Sequence, residues 1–203
     1  MRQRKVKNRE QILENCASYI WHMGDALPQG RPVYLEIGSG KGQFITQKAL
    51  NDPDGFYLAC EGGININVRI LQKAKELELS NLAVITDYIL KPAEDFAPAS
   101  LAGLYINFCD PWPKDRHAHR RLTYRELLKQ YQVIAKGGFL EFKTDNDALF
   151  EWSLAEIDAA GLTIEKMTRD LHSSEYAANN VETEYEQKFA STGKAINFVR
   201  LAL

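Results

Sequence analysis

Glu36-Ile-Gly38-Ser-Gly40-Lys-Gly42 follows the apolar run Val33–Ile37 and opens a helical pattern. Glycines at such a junction let the backbone turn sharply and come close to a ligand. A Walker phosphate loop needs Gly-Lys followed by Ser or Thr. Here Lys41 is followed by Gly42, and Glu36 takes the first-glycine position. A dinucleotide fingerprint needs a third glycine where Gln43 stands. What remains is Gly-x-Gly-x-Gly with an acid two residues ahead, which suits a nucleoside ligand with no pyrophosphate to seat on the helix N-terminus. An ordinary tight strand–helix turn would look the same in isolation, so the surrounding chain decides.

Outward from this turn, short β-rich runs alternate with helical patterns: Val33–Ile37, Gly55–Cys60, Leu82–Thr86, Leu101–Phe108 and Gly138–Lys143. Their ends lie 23, 26, 22 and 35 residues apart, as in successive βαβ units. Ile64, Val68, Leu71, Ala74 and Leu77 form a stripe at helical spacing. Thr123-Tyr-Arg-Glu126 reads as a capping box for a helix ended by Gly137-Gly138. Asp145 or Asn146 can cap a further helix that Gly161 closes. Leu162–Met167 and Ala195–Leu203 read as strands without a full βαβ spacing between them. The pattern predicts an α/β fold, an open and mostly parallel sheet ending in an antiparallel pair, with helices on both faces. Ile12, Leu13, Cys16 and Ile20 predict a short helix over 10–24, so 1–30 reads as a basic arm and helix and 31–203 as one domain.

Composition narrows the class. In 203 residues, 45% are apolar, which excludes a disordered chain. The longest uncharged stretch, Phe96 to Cys109, is 14 residues with a Pro and an Asn, too short and polar to span a bilayer. The charged N-terminus is no secretory signal. Three scattered cysteines without a CxxC argue against a disulfide framework or a Cys-rich metal site and fit a reducing cytoplasm. The net charge is −2, but Arg2, Arg4, Lys5, Lys7 and Arg9 start the chain without an acid. Lys114, Arg116, Arg120, Arg121, Arg125 and Lys129 form a second basic segment, against Asp115 and Glu126. Two such segments can meet a polyanion together.

Three acids stand at strand ends. Glu61 lies 19 residues after Gly42, where a carboxylate can accept both ribose hydroxyls of an adenosine. Asp87 ends the third run and can take the adenine amino group, or simply cap a turn. The fourth run ends in Asp110-Pro-Trp112-Pro-Lys114-Asp-Arg116-His117-Ala-His119-Arg120-Arg121. Its prolines predict an extended loop. The cations would neutralise phosphates, and Asp110 could hydrogen-bond a base edge. Trp112 is either a wall for a base or a core plug. His117 and His119 have no third partner and are not metal ligands.

The Asp110–Lys114 motif with Arg116-His and Arg120-Arg121 resembles the signature of the bacterial tRNA (guanine-N(7)-)-methyltransferase family. So do Thr183-Glu184-Tyr185-Glu186-Gln-Lys-Phe189, the Glu36–Gly42 turn, Lys143-Thr-Asp145-Asn and the basic start. The resemblance runs over about 31–190. It implies the class I methyltransferase sheet of seven strands, the last antiparallel, and S-adenosylmethionine as cofactor. It implies a cofactor site of Glu36, Gly38, Gly40, Gly42, Glu61, Asp87 and Asp110, with Asp110 also orienting the target base. It implies tRNA contacts by Lys114, Asp145, Thr183, Glu184, Tyr185 and Glu186, with methylation of guanine 46 in the variable loop. Trp112 and Tyr185 are expected to wall the pocket of an unstacked base. The expected protein is cytoplasmic, metal-free and a monomer or homodimer. Asp115 stands where the family commonly has a second Lys, and Gly62-Gly63 departs from its Gly-Ile-acid run, which predicts a looser entry to the next helix. A small-molecule methyltransferase would leave the basic segments unexplained, and a non-catalytic RNA-binding module would leave the strand-end acids unexplained. A nicotinamide oxidoreductase fails at Gln43.

Overall fold

The computed structural model describes residues 6–190 and 193–203, so Arg2, Arg4 and Lys5 of the basic arm lie outside the described residues. The chain divides into two compact units, one reaching to Leu90 and one from Lys91 to Leu203.

In the first unit, α1 (Arg9–Asn15) leads to β1 (Val33–Ile37), α2 (Gln43–Asn51), β2 (Phe56–Cys60), α3 (Ile64–Glu76) and β3 (Leu82–Ile85). β1 pairs β2 and β2 pairs β3, both parallel, with Ile37 opposite Cys60 and Cys60 opposite Ile85. All three strands therefore end level with one another, which sets the loops after them along one edge. Their side chains are buried on both faces, as a parallel strand requires: Leu35 and Leu58 are fully covered. The helix expected over 10–24 is shorter. After α1 comes a 3-10 turn, Ala17–Tyr19, and then Ile20 bridges Val84 and Trp21 N–H donates to Val84 O. Backbone pairing beside β3, with Cys16 and Trp21 buried, replaces further helix.

The α3 stripe buries Val68, Leu71 and Ala74 as expected, but Leu77 is 45% exposed and Leu79 only 5%. Glu78 adopts φ +51°, its N–H returns to Lys75 O, and Leu79 N–H to Ala74 O. This double closure ends the helix and turns Leu79, not Leu77, inward. It uses a glutamate where glycine is the usual residue.

In the second unit, α4 (Pro92–Asp95), β4 (Gly103–Asn107), α5 (Arg125–Ile134), β5 (Phe139–Thr144), α6 (Asp147–Ala159), β6 (Thr163–Thr168), α7 (Glu184–Ala190) and β7 (Asn197–Ala202) follow. β4 and β5 are parallel, while β7 runs antiparallel to both β5 and β6. Among the described residues the sheet has seven strands in the order β3-β2-β1-β4-β5-β7-β6. That is the open, mostly parallel sheet the spacing predicted, with the antiparallel pair at its end. β4 is shorter than expected: it begins at Gly103 rather than Leu101, and Phe108 leaves it at φ +52°.

The two helix starts read from sequence divide. Asn146 caps α6 as expected, its Oδ1 accepting Leu149 N–H at 2.9 Å. The capping box at Thr123–Glu126 does not form. α5 begins at Arg125, and the Thr123 hydroxyl is fully buried against Ser153 Oγ at 2.7 Å. Glu156 of α6 takes over the free helix donor, accepting Arg125 N–H at 2.9 Å and both Nε and Nη2 of its guanidinium. A long-range acid has displaced the local one, and Glu126 pairs instead with Lys129.

Candidate active site

The glycine turn is built by φ values that a side chain resists: +83° at Gly38, +53° at Gly40 and +80° at Gly42. Gly38 and Ser39 N–H both donate to Cys60 O, at 2.9 and 3.0 Å, so the turn is sewn to the end of β2. A Cβ on Gly38 or Gly40 would meet nothing within 4 Å, so the backbone there faces open space. At Gly42 it would press on Ile70 at 2.9 Å, so this third glycine serves helix packing. Glu36 lies just ahead and is 1% exposed.

Glu61 sits beside this turn. Its Oε2 accepts Gly40 N–H at 3.2 Å and its Oε1 accepts Gly63 N–H at 2.8 Å. The loose entry predicted for Gly62-Gly63 is therefore not found: Glu61 holds Gly63, while Ile66 and Asn67 N–H donate to Gly63 O and Asn67 Nδ2 donates to Glu61 O at 2.6 Å. Gly62 has a second reason to be glycine. A Cβ there would lie 2.0 Å from Cζ of Tyr88, whose ring occupies that space while remaining 65% exposed. Asp87, exposed, turns one oxygen onto Tyr88 N–H at 2.7 Å, and its carbonyl accepts from Cys60 Sγ. Glu36, the three glycines, Glu61 and Asp87 thus gather along one edge of the first unit. Three level strands and an open glycine cradle suit a nucleoside.

In the second unit, the segment after β4 is not the extended loop expected: left-handed φ at Phe108 and Trp112 breaks it, and it then winds into a 3-10 helix, Asp115–Arg120. A 3-10 helix eclipses residues three apart. His117 and Arg120 accordingly meet the same ring, Trp112: the imidazole edge-on at 5.7 Å between centroids and the guanidinium 4.9 Å from it. Trp112 is half-buried at φ +42°. Asp110, Lys114, Asp115, Arg116, His119 and Arg120 are exposed.

Arg121 was expected among these outward cations and is not one. It is 7% exposed, donates Nε to Pro111 O and Nη2 to Trp112 O at 3.0 Å each, and stacks 4.3 Å over Trp152. It clasps the loop shut from inside. Sequence reading missed this because two adjacent arginines look alike until one is covered. The thiol of Cys109 is pushed up to about 12 by burial and by the Asp110 charge, so at neutral pH it is no nucleophile.

Thr183 stands just ahead of α7, and Glu184, Tyr185 and Glu186 begin it. Here the capping box does form: Glu186 N–H donates to Thr183 Oγ1 at 2.9 Å, and Thr183 N–H reaches Glu186 Oε2 at 3.4 Å. Glu186 is fully buried and joins Lys143 Nζ at 2.7 Å. Burial pushes its carboxyl up, but Lys143, Asn180 and His172 outweigh that and hold it below the usual range. Glu184 is half-buried, and Tyr185 is exposed with its hydroxyl 3.1 Å from Asp145 Oδ2. Tyr185 stacks on Phe189 at 4.2 Å and leans on Phe108 at 5.0 Å. Asp145, Tyr185 and the buried pair form one cluster. Asp110 and Lys114 belong to the clasped loop.

Sheet order, the antiparallel closing pair and the glycine turn together define a class I methyltransferase fold. A family described as "Putative methyltransferase" matches residues 30–199. The solved structure of a 16S ribosomal RNA methyltransferase, KamB, shares that fold over 98% of this chain and 94% of its own, with a TM-score of 0.60 at 17% identity. Closer in sequence is a tRNA (guanine-N(7)-)-methyltransferase of Latilactobacillus sakei subsp. sakei (strain 23K), 46% identical over 94% of this chain and 90% of that protein. One of the same name from Bacillus subtilis (strain 168) is 38% identical over 94% and 90%. The chain belongs to the tRNA (guanine-N(7)-)-methyltransferase family.

Among the described residues no helix is long and apolar enough to cross a membrane, and no group of three or more His, Cys, Asp or Glu could hold a metal ion.

Proposed function

We propose that this protein transfers a methyl group from S-adenosylmethionine to N7 of guanine 46 in the variable loop of tRNA, giving 7-methylguanosine. The observation that carries methylation of a tRNA guanine at N7 is 46% identity across nearly the whole chain to a relative named for that reaction, and position 46 rests on the motif resemblance alone. The residues fit the cofactor's chemistry. Gly38 and Gly40 leave open space for close approach, and Glu36, Glu61 and Asp87 supply acceptors for hydroxyl and amino groups. Glu61 already accepts two N–H groups, and a carboxylate has about four acceptor positions, so two remain for ribose hydroxyls. When bound, S-adenosylmethionine supplies an electrophilic methyl on a sulfonium.

Guanine N7 has a lone pair and no proton, so the protein needs no general base. Its work is positioning and electrostatics. Asp110 accepts the guanine N1–H and amino hydrogens, fixes the ring and stabilises the charge that develops on it. Asp145 shares that work after releasing Tyr185. Lys114, Arg116 and Arg120 meet flanking phosphates, and Trp112 and Tyr185 offer faces for an unstacked base. In this reading 31–203 act as one methyltransferase domain, 1–30 as a basic arm and helix, and the protein works in the cytoplasm as a monomer or homodimer.

The pH dependence of methylation tests the mechanism. Asp110→Asn should lose much of kcat/KM, because an amide NH2 would face guanine donors. The loss should persist as pH is raised, since N7 has no proton to give up. A basic limb in the wild-type pH–rate profile that vanishes in Asp110→Asn would instead make Asp110 a general base.

A further inference from the structure

Lys143 of β5 is 4% exposed, and its ammonium donates to Glu186 Oε2 at 2.7 Å, Val181 O at 2.9 Å and Asn180 Oδ1 at 3.0 Å. Glu186 is 0% exposed, and its Oε1 accepts from Asn180 Nδ2 at 2.7 Å and lies 2.9 Å from His172 Nε2. Both charges are spent inside the protein. Two residues further along the chain from Lys143, Asp145 is bonded by Tyr185, the residue before Glu186. The start of α7 is therefore fastened to the end of β5 twice. The inner bond is a covered ion pair, and the outer one is open to solvent at an exposed tyrosine.

We propose that Lys143 and Glu186 are a positioning pair: they set α7 against β5, and thereby place Asp145 and Tyr185 for tRNA, without Glu186 touching the RNA. This rests on the methyltransferase reading above and deepens it. Of the four residues Thr183–Glu186, the carboxylate of Glu186 is closed off by Lys143, Asn180 and His172, and Thr183 is 9% exposed with its hydroxyl on the Glu186 N–H. Glu184 and Tyr185 are left to face a ligand. The outer bond can open for substrate because the inner pair keeps the helix in place.

The chemistry of buried pairs supplies a test. Removing one partner strands a charge, whereas replacing both by neutral groups of similar size is tolerated. Glu186→Gln, Lys143→Met and the double variant are compared for methylation of unmodified tRNA and for hydrogen exchange of 180–189 in the free protein. Glu186→Gln should raise exchange there and lower kcat about tenfold or more, with KM for S-adenosylmethionine and the salt dependence of tRNA binding unchanged. In the double variant the glutamine amide can serve Val181 O and Asn180 Oδ1, so protection should return and kcat come within about threefold of wild type. A double variant with native protection but the full kcat loss would show that the carboxylate itself contacts RNA and would overturn the proposal. So would Glu186→Gln with raised exchange and unchanged kcat. If Glu186→Gln alone does not fold, the double variant against wild type decides: kcat within about threefold of wild type supports the pair, and a loss of about tenfold or more with native protection overturns it. Failure of the wild-type protein to methylate tRNA would remove the functional reading and leave the exchange result standing.

Discussion

Replacing Arg121 separates a clasp from a phosphate contact. Its guanidinium makes two hydrogen bonds of 3.0 Å to Pro111 and Trp112 carbonyls and stacks on Trp152 at 4.3 Å. Hydrogen bonds from a charged group contribute about 1.5–3 kcal/mol each, and a desolvated cation–π contact about 2 kcal/mol. Pro111 and Trp112 are half-buried, so water can reach their carbonyls once Arg121 is gone, which favours the low end. Arg121→Met, which keeps the stem and part of its contact with Trp152 but removes the fork, should therefore destabilise by about 3–5 kcal/mol in urea unfolding. Arg121→Lys, which can serve one carbonyl but not both, should fall between it and the wild type. The control is Arg120→Ala. Arg120 is exposed, and losing one phosphate contact flattens the slope of log K against log salt by about 0.7–0.9. Arg121→Met should lower kcat/KM while leaving that slope unchanged. A flattened slope with native stability would show that Arg121 reaches phosphate, and the clasp would be wrong.

Three further outcomes follow from the geometry. Glu61→Ala should weaken S-adenosylmethionine binding roughly tenfold or more in calorimetry and spare tRNA binding; unchanged cofactor affinity in a folded variant would remove Glu61 from the site. Gly62→Ala should displace the Tyr88 ring, whose exposure lets it swing away, so the stability cost should stay below about 1 kcal/mol while hydrogen exchange over 87–90 rises; a loss above about 3 kcal/mol would show the ring is fixed. Glu156→Gln should destabilise by about 1–2 kcal/mol at pH 7, since Glu156 caps α5 and pairs with an Arg125 that is 44% exposed. Hydrogen bonding by Arg125 lowers the Glu156 pKa against its burial, so this stability is present above about pH 4.3 and is lost as pH falls through the lowered folded value. The gap between wild type and variant should close in acid; a gap independent of pH would assign the effect to packing.

The strands were legible because short runs rich in apolar residues and bounded by turns carry their own signal, even in β6, where the side chains are mostly exposed: Val33–Ile37 matches β1 at both ends, and the other runs match β2–β7 to within two residues. What failed depends on distance along the chain. Thr-x-x-Glu occurs at Thr123 and at Thr183 with the same local meaning, yet only the second forms a capping box. At the first, Ser153 and Glu156, thirty or more residues away, supply the partners. Arg120 and Arg121 differ only in what covers them. Glu78 ends α3 in a conformation that sequence assigns to glycine, so Leu77 looked like the inward residue. Glu61 and Asp87 were legible by position as acids just past strand ends, and β1, β2 and β3 do end level. The inward use of Glu186 was not, because its partners come from 143, 172 and 180.

The product is the most direct readout of the reaction. Unmodified tRNA incubated with the protein and S-adenosylmethionine, then digested to nucleosides and, separately, to mapped fragments for mass spectrometry, reads it directly. The expected result is 7-methylguanosine, in the variable-loop fragment carrying guanine 46. A methyl group on an exocyclic nitrogen or a ribose hydroxyl, or in another fragment, would contradict it.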